Sequence, residues 1–204
     1  MRNPCLAAHA ASCAEKSSRP LSVDPIALRV GQTYNCKMEH TNTPALDLSW
    51  DEAIALSEKL ALEVQKYCTD NRTAVDLLVI LPVGGLIPGE RVARILGLGD
   101  LDVAFASVAA YKPNEAAPSG HIETGQLPAR EQVAGKRVWI IDEVCDTGVT
   151  LEYVIKLLRS YGAADIHTAA LHFKPKKSTT GVKPDIYMAE TDAKWINYPW
   201  EVTA

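Results

Sequence analysis

One stretch limits what this chain can become. Val138-Trp139-Ile140-Ile141 runs straight into Asp142-Glu143, and Val144-Cys145 leads on to Asp146-Thr147-Gly148-Val149-Thr150. An apolar run without polar alternation reads as a strand buried on both faces, as in a parallel sheet covered by helices. Asp142 and Glu143 then fall at its carboxyl end, where open α/β sheets place their ligands. From Asp146 to Thr150 the chain enters a helix whose first backbone N–H groups have no intrahelical partner. Such a turn binds phosphate: the N–H groups converge, Gly148 lets the backbone come close, and Thr147 and Thr150 add hydroxyls. The stretch thus offers two carboxylates for sugar hydroxyls or Mg²⁺ and, beside them, a cradle for a phosphate monoester. Thr147 alone is equally readable as a helix cap.

The rest of the chain fits a soluble α/β protein. At 204 residues, 47% hydrophobic and 23% charged, it reads as one domain with enough chain for a real core. A net charge of −4 argues against a general nucleic-acid binder, which is normally basic. Five cysteines, an odd number at wide spacings and without Cys-x-x-Cys, read as reduced thiols of a cytoplasmic protein. Cys145, though inside the key stretch, reads as a small buried filler. No stretch approaches the roughly 20 apolar residues of a membrane span. Residues 1–20 lack the continuous apolar core of a secretory signal and read as a disordered tail.

Residues 21–48 show no period and carry Pro25, Gly31 and Pro44; they read as an extended arm with a short strand near Ile26 to Val30. Ser49-Trp50-Asp51-Glu52 is a capping box, and apolar residues at helical spacing follow to about Cys68. Leu77 to Leu81 is a core strand. Pro82-Val83-Gly84-Gly85 after it reads either as an ordinary strand-to-helix turn or as a second anion turn through the N–H groups of Gly84 and Gly85. Arg91 and Arg94 are surface charges on the next helix, which stops at Gly97. Asp102 to Ala110 reads as another core strand. Lys112 to Arg130, rich in Pro and Gly, is a patternless segment of the length that usually carries function or is disordered; its Lys112 and His121 read as solvated. A helix from Leu151 to about Tyr161 and strands at Ile166 to Leu171 and Pro184 to Met188 complete the pattern. Taken alone, Lys174, Lys176 and Lys177 read as solvated lysines at a strand end.

Together these motifs resemble the type I phosphoribosyltransferases, whose substrate is phosphoribosyl pyrophosphate (PRPP). The acidic pair and the Asp-Thr-Gly-x-Thr loop carry the resemblance. Trp195-Ile196-Asn197-Tyr198-Pro199-Trp200-Glu201 is similar to the base-binding hood of the xanthine-guanine type and its archaeal relatives. His172-Phe173-Lys174-Pro175 matches a Lys-Pro step of the same enzymes. The glycine turn resembles their pyrophosphate loop but has Val83 where that family has Arg, and Ala110-Tyr111 stands where it often has Ser-Tyr.

The resemblance implies an α/β fold, a parallel twisted sheet flanked by helices, over residues 49–204, with a small C-terminal hood at about 172–204. It implies transfer of ribose 5-phosphate from PRPP to a 6-oxopurine (hypoxanthine, guanine or xanthine), with Mg²⁺ as cofactor and a homodimer or homotetramer as the assembly. By the same resemblance Asp142 and Glu143 hold the ribose hydroxyls directly or through the metal. Asp146, Thr147, Gly148, Val149 and Thr150 cradle the 5′-phosphate, and Gly84 and Gly85 take the pyrophosphate. Asp146 also handles the purine N7 proton. Lys174 reaches the 6-oxo group, Trp195 stacks on the base, the main chain at Ile196 bonds the base edge, and Trp200 packs the hood. The segment Lys112 to Arg130 corresponds to a mobile flap that excludes water from an oxocarbenium-like centre. Val83 keeps an alternative open: a PRPP-sensing regulatory protein with the same fold and no catalysis.

Overall fold

The computed structural model describes residues 45–110 and 122–201. The expectations for the tail, for the arm up to Pro44, and for Tyr111, Lys112 and His121 in the flap lie outside these residues.

Helix α1 (Trp50–Asp70) begins at the expected capping box. The Ser49 hydroxyl accepts from the Glu52 N–H and the Ser49 N–H donates to the Glu52 carboxylate. Strand β2 (Leu77–Ile80) and helix α2 (Leu86–Leu96) follow the short strand β1 (Leu46–Asp47) and α1. Gly97 ends α2 at φ 67°, a left-handed conformation that glycine adopts at little cost. Next come β3 (Val103–Phe105), β4 (Val108–Ala109), β5 (Glu123–Thr124) and the short helix α3 (Arg130–Val133). Strand β6 (Arg137–Cys145), helix α4 (Val149–Ser160), β7 (Asp165–Phe173), β8 (Ile186–Glu190) and β9 (Ile196–Asn197) complete the chain.

The central sheet has the order β3-β2-β6-β7-β8, and every pair is parallel. Its apolar runs divide by the two-residue period of a strand. Leu78, Ile80, Trp139 and Ile141 pack with Leu60 and Val64 of α1 and Val92 of α2. Leu77, Val79, Val138 and Ile140 pack on the other face with Val133 of α3 and Val154 and Leu158 of α4. Both faces are covered, which is why these strands show no polar alternation. Among the described residues no helix is long and apolar enough to cross a membrane.

Three expectations need correction. First, Asp102 to Ala110 is not one core strand. Residues Asp100–Asp102 form a 3-10 turn, β3 follows, and the chain then leaves the sheet. The Ala106 N–H still bonds Ile80, but Ser107 bonds Gln126 and Gly125, so β4 pairs antiparallel with β5 apart from the central sheet. Second, the end of the arm is not a free extension. β1 pairs in parallel with β9, so Leu46 and Asp47 are part of the hood sheet. Third, the acidic pair does not terminate its strand, because β6 keeps its pairing with β7 as far as Cys145.

Candidate active site

The third correction locates the site. On one side of β6 the pairing with β2 ends at Ile141, whose carbonyl accepts from the Leu81 N–H. On the other side β7 accompanies β6 to Cys145 through Val144–His172 and Cys145–Phe173. Asp142 and Glu143 therefore stand where β2 has turned away and β7 has not. Chain order also reverses there, with β3 on one side of β2 and β6 on the other. Crevices at such switch points are where open α/β sheets bind ligands.

The loop leaving β2 closes on the acidic pair. The Pro82–Val83 peptide is cis. A Cβ on Gly84 would land on the Glu143 carboxylate, and a Cβ on Gly85 would lie 2.5 Å from the Leu81 carbonyl oxygen and 2.9 Å from that of Ile141. These glycines are thus demanded by close approach. The Gly85 N–H already donates to Leu81 at 3.0 Å, so the donor expected there is engaged within the loop. Val83 is 77% exposed, with no bulk around it to exclude a longer side chain. Arg91 and Arg94 both pair with Glu90 on α2, in keeping with surface charges.

Asp142 is partly buried. Burial pushes its carboxyl well above the ordinary range, and the neighbouring Glu143 adds to the effect. The Glu143 N–H donates to Asp142 Oδ1 at 2.9 Å. Cys145 is buried, and burial followed by Asp142 pushes its thiol up to about 12, consistent with a filler.

Asp146, Thr147 and Gly148 form the turn into α4. Gly148 has φ 82°, and a Cβ there would collide with the Thr180 hydroxyl. The Val149 N–H reaches Thr147 Oγ1 only at 3.4 Å, so Thr147 is a weak cap and its hydroxyl remains available to a ligand. The segment after β7 lies over this turn: the Thr179 N–H donates to the Thr147 carbonyl at 2.9 Å.

Lys174 is not solvated. It is 3% exposed, and its ammonium lies 3.4 Å from Asp146 Oδ2 and 3.4 Å from the Lys194 carbonyl. Burial lowers its pKa, and Asp146 pulls it back up. Lys177 is not simply solvated either, with Nζ 3.3 Å from Asp146 Oδ2 and 2.9 Å from the Lys194 carbonyl. Lys176 instead pairs with Asp192 on the surface. The other Asp146 oxygen, Oδ1, is buried and has no partner among the described residues.

The hood meets this cluster through the Lys194 carbonyl. Trp195 is 45% exposed, and the nearby Glu201 carboxyl is raised by burial and then by Glu143. The carbonyls of Trp195 and Asn197 accept from Leu46 and Leu48. Since main-chain groups of successive strand residues point opposite ways, those of Ile196 face away from β1, while its side chain is buried in the core. Trp200 stacks on Tyr198 at 4.9 Å and also meets Trp50, so it packs the hood. Tyr198 and His172 were missing from the expected set. The Tyr198 hydroxyl donates to the Glu143 carbonyl at 2.8 Å and lies 2.8 Å from His172 Nδ1. Both are buried; burial, with Lys174 nearby, lowers the His172 pKa to about 4. The i, i+3 spacing of Lys174 and Lys177 across Pro175 was the one signal that pointed to Lys177.

Residues 49–204 match the family model of the phosphoribosyl transferase domain. The chain is 31% identical over 156 residues to a xanthine-guanine phosphoribosyltransferase of Cereibacter sphaeroides, covering 76% of this chain and 86% of that protein. It is 31% identical to a purine phosphoribosyltransferase structure from Pyrococcus horikoshii, with TM-score 0.60, covering 78% of this chain and 96% of that one. A Helicobacter pylori xanthine-guanine-hypoxanthine phosphoribosyltransferase, at 20% identity and TM-score 0.61, covers 78% of this chain and 95% of its own and shares the fold.

Proposed function

The chain belongs to the phosphoribosyltransferase domain family, and from that membership we propose that it is a purine phosphoribosyltransferase acting in purine salvage. It transfers ribose 5-phosphate from PRPP to N9 of a 6-oxopurine and releases pyrophosphate. The observation that carries this reading is the pocket at Asp146. There two ammonium groups meet a carboxylate whose other oxygen is buried without a partner among the described residues, and the exposed Trp195 directly follows Lys194, whose carbonyl both ammonium groups reach.

Each residue then has a task. The turn from Asp146 to Thr150 receives the 5′-phosphate through helix-terminal N–H groups and the Thr147 and Thr150 hydroxyls. Asp142 and Glu143 orient the ribose hydroxyls, and their charge favours an oxocarbenium-like transition state. Asp146 Oδ1 accepts the purine N7 proton as general base. Lys174 donates to the 6-oxo group, and Trp195 stacks on the ring, a contact worth about 1–3 kcal/mol. Gly84 keeps the β2 loop close enough to shape the pyrophosphate end of the crevice.

The donor set also fits Mg²⁺. Asp142 and Glu143 are neighbouring carboxylates on β6, hard oxygen donors of the kind Mg²⁺ takes. That suits an ion held by one or two carboxylates and completed by substrate oxygens and water. When bound it would neutralise charge on the pyrophosphate leaving group.

Pyrophosphate release from PRPP with Mg²⁺, each base supplied in turn, tests the reading. Release is expected with hypoxanthine, guanine or xanthine and not with adenine or uracil. The exposed Val83 favours a second reading, a regulator that binds PRPP without turnover; PRPP binding with no release from any base would select it.

A further inference from the structure

We infer that Lys177 is a second base-binding residue, and that with Lys174 it restricts the acceptor to bases presenting an N–H beside a carbonyl. The inference rests on the purine phosphoribosyltransferase reading and deepens it.

The local backbone makes the pairing of the two lysines a geometric consequence. Lys174 closes β7 with its N–H on the Cys145 carbonyl, and Pro175–Lys177 is a single 3-10 turn held by the Lys177 N–H on the Lys174 carbonyl. In a 3-10 turn the side chains at i and i+3 eclipse one another. Lys174, the cap of that turn, and Lys177 at its end both reach Asp146, while Lys176 turns out to Asp192. The turn cannot drift, because Thr179 is bonded by both N–H and hydroxyl to the Thr147 carbonyl of the phosphate loop.

Both ammonium groups converge on the same two acceptors, Asp146 Oδ2 and the Lys194 carbonyl. Each ammonium carries three N–H groups, so donors remain to be satisfied. Asp146 Oδ1, buried beside the two ammonium groups, has no donor among the described residues. An occupant that completes this pocket must bring one N–H for Asp146 and, next to it, an acceptor for the surplus ammonium donors. The N7–H and C6=O edge of a 6-oxopurine has that pattern. The corresponding edge of adenine places an amino group against the ammonium groups, donor against donor. One lysine would suffice to prefer oxygen, and a second, half-exposed one at 3.3 Å from the same carboxylate makes the preference steeper.

The test compares full-length wild type with Lys177→Met, Lys177→Arg and, as a control on the same turn, Lys176→Met. Steady-state constants are measured with hypoxanthine and adenine at saturating PRPP and Mg²⁺, and inosine monophosphate binding is measured by calorimetry. Loss of a hydrogen bond from a charged donor predicts that Lys177→Met raises the KM for hypoxanthine and the Kd for inosine monophosphate about tenfold. The KM for PRPP should stay within about twofold, and discrimination against adenine should fall about tenfold, with Lys177→Arg recovering most of it. Lys176→Met should match wild type. Unchanged base constants and selectivity in Lys177→Met would overturn the inference while leaving the enzyme reading intact. If wild type binds inosine monophosphate without turnover, the enzyme reading fails and the calorimetric arm alone decides on Lys177. If wild type neither turns over nor binds the nucleotide, both fall.

Discussion

The Tyr198 hydroxyl donates to the main-chain carbonyl of Glu143 across 2.8 Å, joining the C-terminal hood to the strand that carries the acidic pair. That carbonyl lies beyond the end of β2, where the sheet no longer supplies a partner. Tyr198→Phe would leave it and His172 Nδ1 short of a bond inside the core. We expect a loss of about 1–3 kcal/mol in denaturant unfolding. Because Glu143 is held less firmly, the KM for PRPP should rise more than the KM for the base.

Gly84 and Glu143 are in mutual contact, and a methyl at Gly84 must displace the carboxylate. Gly84→Ala should fold, since the loop is at the surface end of the sheet, yet lose about 100-fold or more in kcat/KM for PRPP through misplacement of a positioning group. Circular dichroism and steady-state kinetics separate the two effects. Near-normal kinetics would show that Glu143 does not need its present position.

His172 gives the protein an acid limit. Its folded-state pKa is lowered from 6.5 to about 4, chiefly by burial. Above 6.5 the imidazole is neutral in both states and its contribution is fully present. As pH falls through that window the unfolded chain takes up the proton first, so stability is lost down to about 4. The loss is on the order of 3 kcal/mol. His172→Gln, which cannot titrate, should flatten that part of the stability-against-pH curve.

Val83 is exposed beside the acidic pair at the place where the enzymes it resembles carry Arg. Val83→Arg should add a cation at the pyrophosphate end of the crevice and lower the KM for PRPP several-fold, by about 1 kcal/mol of added binding. No change would mean that the loop's main chain already supplies what this site needs.

Much of this was legible in the sequence because it is local. The Ser49–Glu52 box, the apolar runs of β2 and β6, and the turn at Gly148 each announce themselves within a few residues. The structure also brings Asp142, Glu143, Asp146, Lys174 and Trp195 to one end of the sheet. What stayed hidden depends on distant partners. The two-residue strands β1 and β9 are too short to show a period. The continuation of β6 through polar residues depends on β7, and the break after Phe105 depends on the returning strand β5. Lys177 looked solvated because its acceptors, Asp146 and Lys194, are remote in sequence. Tyr198 and His172 meet Glu143 only in the folded chain.

The most direct measurement is formation of the nucleoside 5′-monophosphate from PRPP, Mg²⁺ and a 6-oxopurine by wild type and Asp146→Asn, with PRPP affinity determined in parallel. Wild type should form product, and Asp146→Asn should lose about 100- to 10,000-fold in turnover, the scale of general base catalysis, while PRPP affinity stays within about twofold. No product from wild type with any 6-oxopurine would contradict the assignment of function. An equal loss of turnover and PRPP affinity in the variant would contradict the role given to Asp146.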